Sequence, residues 1–123
     1  MRTYEGWCHC RAIRFTLRSE EITAGCRCNC SICVRKGGVL SARYYARDEL
    51  EVLGTPAVYR FGDRAMDHCF CPVCGISPFS IVTAVPEGYD GPARPGDYRV
   101  NLGCLDGLDV LALEISVIDG RAS

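Results

Sequence analysis

The sequence predicts an all-β protein whose cysteines bind metal. Short runs of alternating apolar and polar residues recur along the chain, and each run is bounded by Gly, Pro or Asp. Helical periodicity is scarce, and 13 Gly with 6 Pro are typical of a turn-rich fold. Seven of the 10 cysteines fall into three tight clusters whose spacing suits metal ligation.

The strand pattern is clearest after the first cluster. Here Ile13, Phe15 and Leu17 alternate with polar residues, which is the period of two that a half-buried strand requires. Further strands are predicted at Val39–Tyr45, Ala57–Phe61, His68–Phe70, Pro78–Val82, Tyr98–Leu102 and Val110–Ile115. Helical signal is limited to a turn at Ser31–Lys36 and a single turn over Glu49 and Leu50 that Asp48 would cap.

The size and charge of the chain limit how many domains it can form and which partners it can bind. A chain of 123 residues fits one domain, and we expect residues 1–123 to form it. A net charge of -1 without a basic run predicts no binding to nucleic acid or to an acidic membrane.

The apolar stretch Leu108–Ile118 contains charges and is too short to span a bilayer. The first residues lack an export signal, so we expect a soluble protein in the reducing cytoplasm.

The segment from Pro86 to Gly96 holds three prolines and three glycines, which predicts a loop without regular hydrogen bonding. A mobile lid is one interpretation of such a loop. The sequence favours the other, a plain surface connection, because nothing in the segment selects a functional role.

Two cysteine pairs predict a closed zinc site. Cys71 and Cys74 lie three residues apart on a tight turn, and Gly75 can adopt the positive φ that brings backbone N–H groups to the sulfurs. Cys8 and Cys10 point the same way in an extended segment. If both pairs bind one zinc ion, they fill its tetrahedral shell, and metal binding contributes to folding.

The triplet Cys28, Cys30 and Cys33 is the candidate catalytic site. Three thiolates leave one coordination position of a zinc ion for an external ligand, and a thiol bound there would be delivered as the nucleophilic thiolate. This donor set favours thiol chemistry over hydrolysis. Cys26 extends the run, however, so spacing alone allows both an open three-ligand site and a closed four-ligand site.

The order of the three clusters resembles that of a known family. With Arg35-Lys36-Gly37-Gly38 after the triplet and Phe70-Cys71-Pro72-Val73-Cys74-Gly75 after a β region, nearly the whole chain resembles the glutathione-dependent formaldehyde-activating (GFA) family, which includes centromere protein V-like proteins. The resemblance implies an Mss4-like all-β fold with two zinc ions. It assigns Cys8, Cys10, Cys71 and Cys74 to a structural ion and Cys28, Cys30 and Cys33 to a catalytic ion, and it argues against Cys26 as a ligand.

The activity implied by the resemblance is the condensation of glutathione with formaldehyde to S-hydroxymethylglutathione, a carbon-sulfur lyase reaction in reverse. Its partner would be a small thiol such as glutathione. The chain departs from the family pattern at Arg11, where Gly is usual, and at Asn29, where His is common. The competing hypothesis is a non-enzymatic zinc scaffold or interaction module.

Several residues outside the clusters are secondary candidates. His68 is interpreted either as an acid for a developing alkoxide or, more commonly for such a position, as a packing residue beside a metal site. The cations Arg35, Lys36 and Arg43 suit the carboxylates of a glutathione-like ligand, or form a solvated surface. We expect Cys26, Cys69 and Cys104 to be buried apolar residues, and Asn101 to lie at a sheet end or to face a pocket.

Overall fold

Three small β-sheets make up the described part of the protein in the computed structural model, which covers residues 1–122. The strands are β1 (Arg2–Trp7), β2 (Arg14–Ser19), β3 (Ala24–Cys28), β4 (Leu40–Ser41), β5 (Leu50–Leu53), β6 (Ala57–Tyr59), β7 (Met66–Phe70), β8 (Phe79–Val82), β9 (Tyr98–Val100) and β10 (Glu114–Ile118). One short α-helix, α1 (Ser31–Lys36), follows β3. Short 3-10 turns lie at Arg47–Glu49, Leu102–Cys104, Val110–Ala112 and Gly120–Ala122. The prediction of an all-β protein is confirmed.

Each sheet has its own order of strands. The first sheet runs β1-β2-β5 and the third runs β6-β7-β8-β9, and both are antiparallel. The second sheet runs β10-β3-β4, with β10 parallel to β3. Bridges Leu40↔Asn101 and Gly6↔Leu105 join the edges of these sheets to neighbouring segments. The chain therefore forms one connected assembly of small sheets.

The hydrophobic core lies between the first and third sheets. Ile13, Phe15 and Leu17 are almost fully buried, as their alternation predicts. Phe15 meets Phe79 edge to face with ring centroids 5.7 Å apart, a favoured aromatic geometry. Gly6 lies against the Phe15 ring so closely that a Cβ would collide with it. This contact explains the glycine in the middle of β1.

Five of the predicted strands are found within a few residues of their expected positions, at β2, β6, β7, β8 and β9. The helical turn Ser31–Lys36 is confirmed as α1, with Cys30 as its N-cap and Gly37 in the left-handed conformation at its end. The segment Pro86–Gly96 is a connection that folds on itself. Gly96 N donates to Val82 O at 2.7 Å, which closes its base.

Other predicted boundaries are wrong for identifiable reasons. The strand expected at Val110–Ile115 forms at Glu114–Ile118, because the Asp109 side chain caps a 3-10 turn by accepting from Leu111 N at 3.1 Å. The strand expected at Val39–Tyr45 shrinks to Leu40–Ser41.

The strands β1, β3 and β5 were not predicted. The buried positions are Tyr4 and Gly6 in β1 and Gly25 and Cys26 in β3, so glycine interrupts the apolar alternation that would mark each strand. At β5, the turn expected over Glu49 and Leu50 ends at Glu49, and Leu50 begins the strand.

Within residues 1–122, none of the helices has the length and apolar character needed to cross a bilayer.

Leu17→Ala should lower the free energy of unfolding by ~2–5 kcal/mol, because Leu17 is 0% exposed and its removal leaves a cavity in the core. Guanidinium denaturation of the zinc-loaded protein measures the change. The control is Leu111→Ala at a side chain that is 92% exposed, where we expect a change within about 0.5 kcal/mol. Similar losses at both positions would contradict the position of the core.

Candidate metal centres and the adjoining cavity

The structure brings Cys8, Cys10, Cys71 and Cys74 together. Their sulfur atoms all lie within 4.8 Å of one another, and Cys10 Sγ is 3.8 Å from Cys8 Sγ and 3.6 Å from Cys71 Sγ. Zinc–sulfur bonds of about 2.3 Å in a tetrahedral shell place neighbouring sulfurs ~3.8 Å apart. The four sulfurs, called the quartet below, therefore fit a closed zinc site.

Two similar turns present these cysteines. The N–H of Cys8 donates to Ile13 O at 3.0 Å, and the N–H of Cys71 donates to Ile76 O at 2.9 Å. Backbone N–H groups also point at the sulfurs, with Ile13 N 3.3 Å from Cys8 Sγ and Cys74 N 3.4 Å from Cys71 Sγ. Such donors stabilise thiolate charge.

The left-handed residue in each turn differs. Gly75 has φ 80° without strain, whereas Arg11 has φ 68°, a conformation that costs a non-glycine residue about 1–2 kcal/mol. The Arg11 guanidinium lies 4.3 Å from the centroid of the Trp7 ring, a cation–π contact that offsets part of that cost. The departure from the usual Gly therefore keeps the turn and adds a stacking contact.

The quartet joins distant parts of the chain. Cys8 and Cys10 lie between β1 and β2 of the first sheet, and Cys71 and Cys74 lie between β7 and β8 of the third. Cys8 and Cys71 are 0% exposed.

The pKa of Cys74 in the quartet is lowered to about 6. The main cause is the N–H of Ile76, and the N–H of Cys10 and neighbouring thiols lower it further, so the turn favours the metal-binding thiolate.

The second cluster, the triplet, is local. The sulfurs of Cys28, Cys30 and Cys33 also lie within 4.8 Å of one another, at the end of β3 and the start of α1. The N–H of Cys33 is 3.5 Å from Cys30 Sγ, and the N–H of Cys30 is 3.4 Å from Cys28 Sγ. All three residues are half-buried.

Thiol pKa values in the triplet differ between neighbours. Burial and hydrogen bonding to Cys30 raise the pKa of Cys33 to about 12. Burial also raises the pKa of Cys30, but the N–H and thiol of Cys33 and the thiol of Cys28 outweigh it, so that pKa is lowered. The hydrogen bonds of the triplet therefore favour the thiolate at Cys30 and the thiol at Cys33.

One side of the triplet is covered by the chain itself. A Cβ on Gly120 would lie 2.5 Å from Cys28 Sγ and 3.1 Å from the Cβ of Cys30, so only glycine fits there. Asn29 holds this segment in place: its Nδ2 donates to Asp119 Oδ1 at 2.8 Å, and its Oδ1 accepts from Arg121 N at 3.0 Å. The Asn in place of the usual His therefore anchors a cover over the triplet.

Cys26 lies outside the triplet group. Its thiol is buried and lies 3.6 Å from Ser41 O and 2.7 Å from Arg99 Nη2. The sequence left open a quartet closed by Cys26, and the sulfur positions give that arrangement no support.

A cavity of about 170 Å³ adjoins the triplet on the side of Cys33. Its wall includes the apolar side chains of Leu40 and Phe79 and the polar side chains of Lys36, Ser80 and Arg99. Gly75 and Ile76 of the quartet turn line its far side. The cavity thus lies between the two cysteine clusters.

Lys36 contributes its ammonium group to this cavity. Its stem is exposed, but Nζ turns inward to Ser80 Oγ at 3.2 Å and to His68 Nδ1 at 3.2 Å. Burial of the ammonium lowers its pKa, although the negative charges that Cys33, Cys69 and Cys30 carry when ionised act in the opposite direction. Lys36 is therefore a partly desolvated cation beside the triplet.

His68 is a neutral acceptor in this arrangement. It is 8% exposed, stacks on Phe61 with ring centroids 5.6 Å apart, and faces Lys36. Burial, followed by the charge of Lys36, lowers the pKa of His68 to about 4. Because an ammonium has only donors, Nδ1 accepts from Lys36 and the ring proton lies on Nε2. Of the two sequence-based interpretations, these contacts support the packing residue.

The remaining candidates have other partners. Arg35 is exposed and donates to Ser31 O of its own helix, and Arg43 pairs with Glu49 at 2.9 Å. Cys26 and Cys69 are buried as expected, and Cys104 is half-buried. Asn101 does face the cavity.

Sequence reasoning missed Ser80, Arg99 and the cover at Gly120. Ser80 and Arg99 pair across β8 and β9, and only their polar character within predicted strands could have indicated them. No local signal in the sequence joins Gly120 to residues 28–30.

Fold and clusters together define a β protein with two cysteine sites suited to zinc, one of four ligands and one of three. The family model of the glutathione-dependent formaldehyde-activating enzyme matches residues 3–117, and the chain belongs to this family, which has the Mss4-like fold. The structure is similar to the crystal structure of a Rhodobacter sphaeroides protein, a structural genomics target, with a TM-score of 0.71 and 25% sequence identity. That match covers 91% of this chain and 99% of the other.

Cys74→Ser should lower the free energy of unfolding by more than ~4 kcal/mol, because it removes one ligand of a site that joins two sheets. Cys30→Ser removes a ligand from a local cluster, and we expect a loss below ~1 kcal/mol. Chemical denaturation, with zinc content measured by mass spectrometry, checks both variants. Cys104→Ser is the control outside both clusters. Equal destabilisation by Cys30→Ser and Cys74→Ser would show that both sites support the fold.

The imidazole of His68 should remain neutral from pH 7 down to about pH 5, because its pKa is lowered to about 4. Long-range ¹⁵N–¹H spectra should show the Nε2–H tautomer over this range. In Lys36→Met, which removes the facing cation, the midpoint should move upward. A midpoint near 6.5 in the unmodified protein would contradict the burial of the ring.

Proposed function

We propose that the protein is a zinc-dependent carbon-sulfur lyase that joins a small thiol to an aldehyde and catalyses the reverse cleavage. The single observation that carries this proposal is the triplet of half-buried thiols with a cavity on one side. Membership of the glutathione-dependent formaldehyde-activating family supports glutathione and formaldehyde as the reactants.

The two clusters would have different roles. Cys8, Cys10, Cys71 and Cys74 supply four ligands, which complete a zinc shell and suit a structural ion. Cys28, Cys30 and Cys33 supply three, which suit a catalytic ion with a position for an external thiol. A zinc ion bound there would lower the pKa of that thiol and supply it as thiolate at neutral pH.

The proposed reaction balances without an added oxidant or reductant. The substrate thiol loses its proton to solvent, and the thiolate sulfur attacks the carbonyl carbon. A C–S bond forms while the π pair of the C=O bond moves to oxygen, and this alkoxide then takes up one proton. The product is a hydroxymethyl thioether, and the proton lost by the thiol equals the proton gained by oxygen.

The residues around the triplet would organise this step. The chain at Gly120 covers the side of Cys28, so a ligand would approach from the cavity beside Cys33. The hydroxyl of Ser80 provides a donor on the cavity wall for the developing oxyanion. His68 would hold the ammonium of Lys36 in position as a neutral acceptor rather than act as the acid.

The free state of the cysteines supports a reducing compartment for this chemistry. All 10 cysteines are unpaired in the structure, and thiol substrates and metal-binding thiols both persist in such surroundings. We therefore propose that the protein works in the cytoplasm.

Thiol binding and turnover test the proposal together. Cobalt-substituted protein should gain a sulfur-to-metal charge-transfer band when glutathione is added, because the added thiol completes the triplet site. The exchange of ¹³C-formaldehyde with its glutathione adduct, followed by NMR, should be faster with protein than without. Cys30→Ser should abolish both effects.

The control variant is Cys104→Ser, which alters a thiol outside both clusters and should retain both effects. An unchanged cobalt spectrum and an unchanged exchange rate would contradict the enzyme. The competing hypothesis of a zinc-stabilised scaffold would then stand.

A further inference from the structure

The cavity beside the triplet has two cationic side chains on its wall. Lys36 and Arg99 both line it, and in the described part of the chain neither has a carboxylate within 4.0 Å. Arg43 and Arg60, by contrast, pair with Glu49 and Asp67. Arg99 is half-buried, and Lys36 is exposed along its stem but turns its ammonium into the cavity. A cation in such a position without a counter-ion is costly, which indicates that an anion completes the cavity.

Both cations retain unused donors. Arg99 donates from Nε to Ser41 O at 2.6 Å and from Nη2 to Cys26 Sγ at 2.7 Å, and no hydrogen bond of Nη1 is found among residues 1–122. Lys36 uses two of its three protons, on Ser80 and His68. A guanidinium and an ammonium with free donors on one cavity wall suit a carboxylate.

Arg99 is fixed in this position independently of any ligand. Its guanidinium lies 4.7 Å from the centroid of the Tyr44 ring, and Ser41, which accepts from it, is 1% exposed. A preorganised cation loses little conformational entropy when it binds an anion. The cavity therefore presents a prepared charge, not a mobile surface arginine.

The size of the cavity limits what it can hold. Sites for drug-sized ligands have volumes of roughly 300–1,000 Å³, whereas this cavity has about 170 Å³. It therefore accommodates a ligand of a few heavy atoms, or one end of a larger ligand. Leu40 and Phe79 add apolar wall for the carbon atoms of such a ligand.

We propose that Lys36 and Arg99 form a carboxylate-binding subsite beside the triplet, so that one of the two reactants is a short carboxylate-bearing molecule. The carboxylate belongs either to the thiol or to the aldehyde, and in both cases a short carbon chain separates it from the reacting atom. The inference rests on the proposed function, because the reacting atom is placed at the triplet.

Carboxylate binding is tested first, without any reaction. Zinc-loaded ¹⁵N-labelled protein is titrated with propionate and, separately, with the neutral analogue 1-propanol. Propionate should shift the amide resonances of Gly38, Ser80 and Arg99, and 1-propanol should not. Lys36→Met should weaken propionate binding ~10-fold or more, since a charge-assisted hydrogen bond is lost.

The control variants separate charge from disruption of the fold. Arg35→Met removes the neighbouring exposed cation and should leave propionate binding unchanged, and Lys36→Arg should restore most of it. Because Arg99 also holds Cys26 and Ser41, Arg99→Gln is interpreted only if its amide spectrum retains the native dispersion. Lys36→Met, whose stem is exposed, does not depend on that condition.

Two further arms identify the source of the carboxylate. With cobalt-substituted protein, 3-mercaptopropionate should bind at least ~10-fold more tightly than 2-mercaptoethanol if the thiol bears it. If the aldehyde bears it, glyoxylate should react with 2-mercaptoethanol more readily than formaldehyde does. Either preference should disappear in Lys36→Met.

Loss of the carboxylate subsite and loss of the lyase activity give different results in these experiments. No response to propionate, an equal response to propionate and 1-propanol, or propionate binding that Lys36→Met leaves unchanged overturns the carboxylate subsite even if thiols bind the metal. A response to propionate that depends on Lys36, without any effect of thiols on the cobalt spectrum, contradicts the lyase and retains the anion site.

Discussion

The convergence of four sulfur atoms from two distant turns is the constraint on which this fold depends. Cys8 and Cys10 belong to the first sheet, whereas Cys71 and Cys74 belong to the third. Sheets of three or four short strands bury little apolar surface individually. The quartet lies at the edge of the core that holds Phe15 against Phe79, so a metal bound there would fix the same interface as the aromatic packing.

The two clusters differ in how much of the chain they hold together. The quartet closes a connection in which Cys10 and Cys71 are 61 residues apart, whereas the triplet spans only residues 28–33. A local cluster adds little to the order of the whole chain, because few residues lie between its ligands. A metal bound by the triplet would therefore contribute less to the fold than one bound by the quartet.

The sequence predicted how the cysteines group far better than it predicted the residues around them. Spacing within a turn is a local property, which is why the grouping of Cys71 with Cys74, and the helix after Cys30, followed from the sequence. That the pair Cys8 and Cys10 meets the pair Cys71 and Cys74 followed from the count of four ligands in a zinc shell and from the family resemblance, not from a local pattern. Strand β1 was missed because Gly6 packs under Phe15 and so breaks the apolar alternation. The contacts of Arg99 with Cys26 and of Asn29 with Asp119 join residues 73 and 90 positions apart, and no local pattern encodes them.

The parallel pairing of β10 with β3 has a consequence for the order in which the protein assembles. In this register Glu114 pairs with Ala24 and Ile118 with Cys28, so the strand that carries the first ligand of the triplet acquires its neighbour from a segment synthesised about 90 residues later. During translation, the ligands of the quartet are all present once residue 74 has emerged, well before β10 exists. The four sulfurs of the quartet can therefore meet first in the nascent chain, and the second cluster gains its cover only after residues 119–121 have been synthesised. The thiols of the triplet stay uncovered until that point. Their risk of oxidation, or of binding the wrong metal, is therefore greatest in the nascent chain.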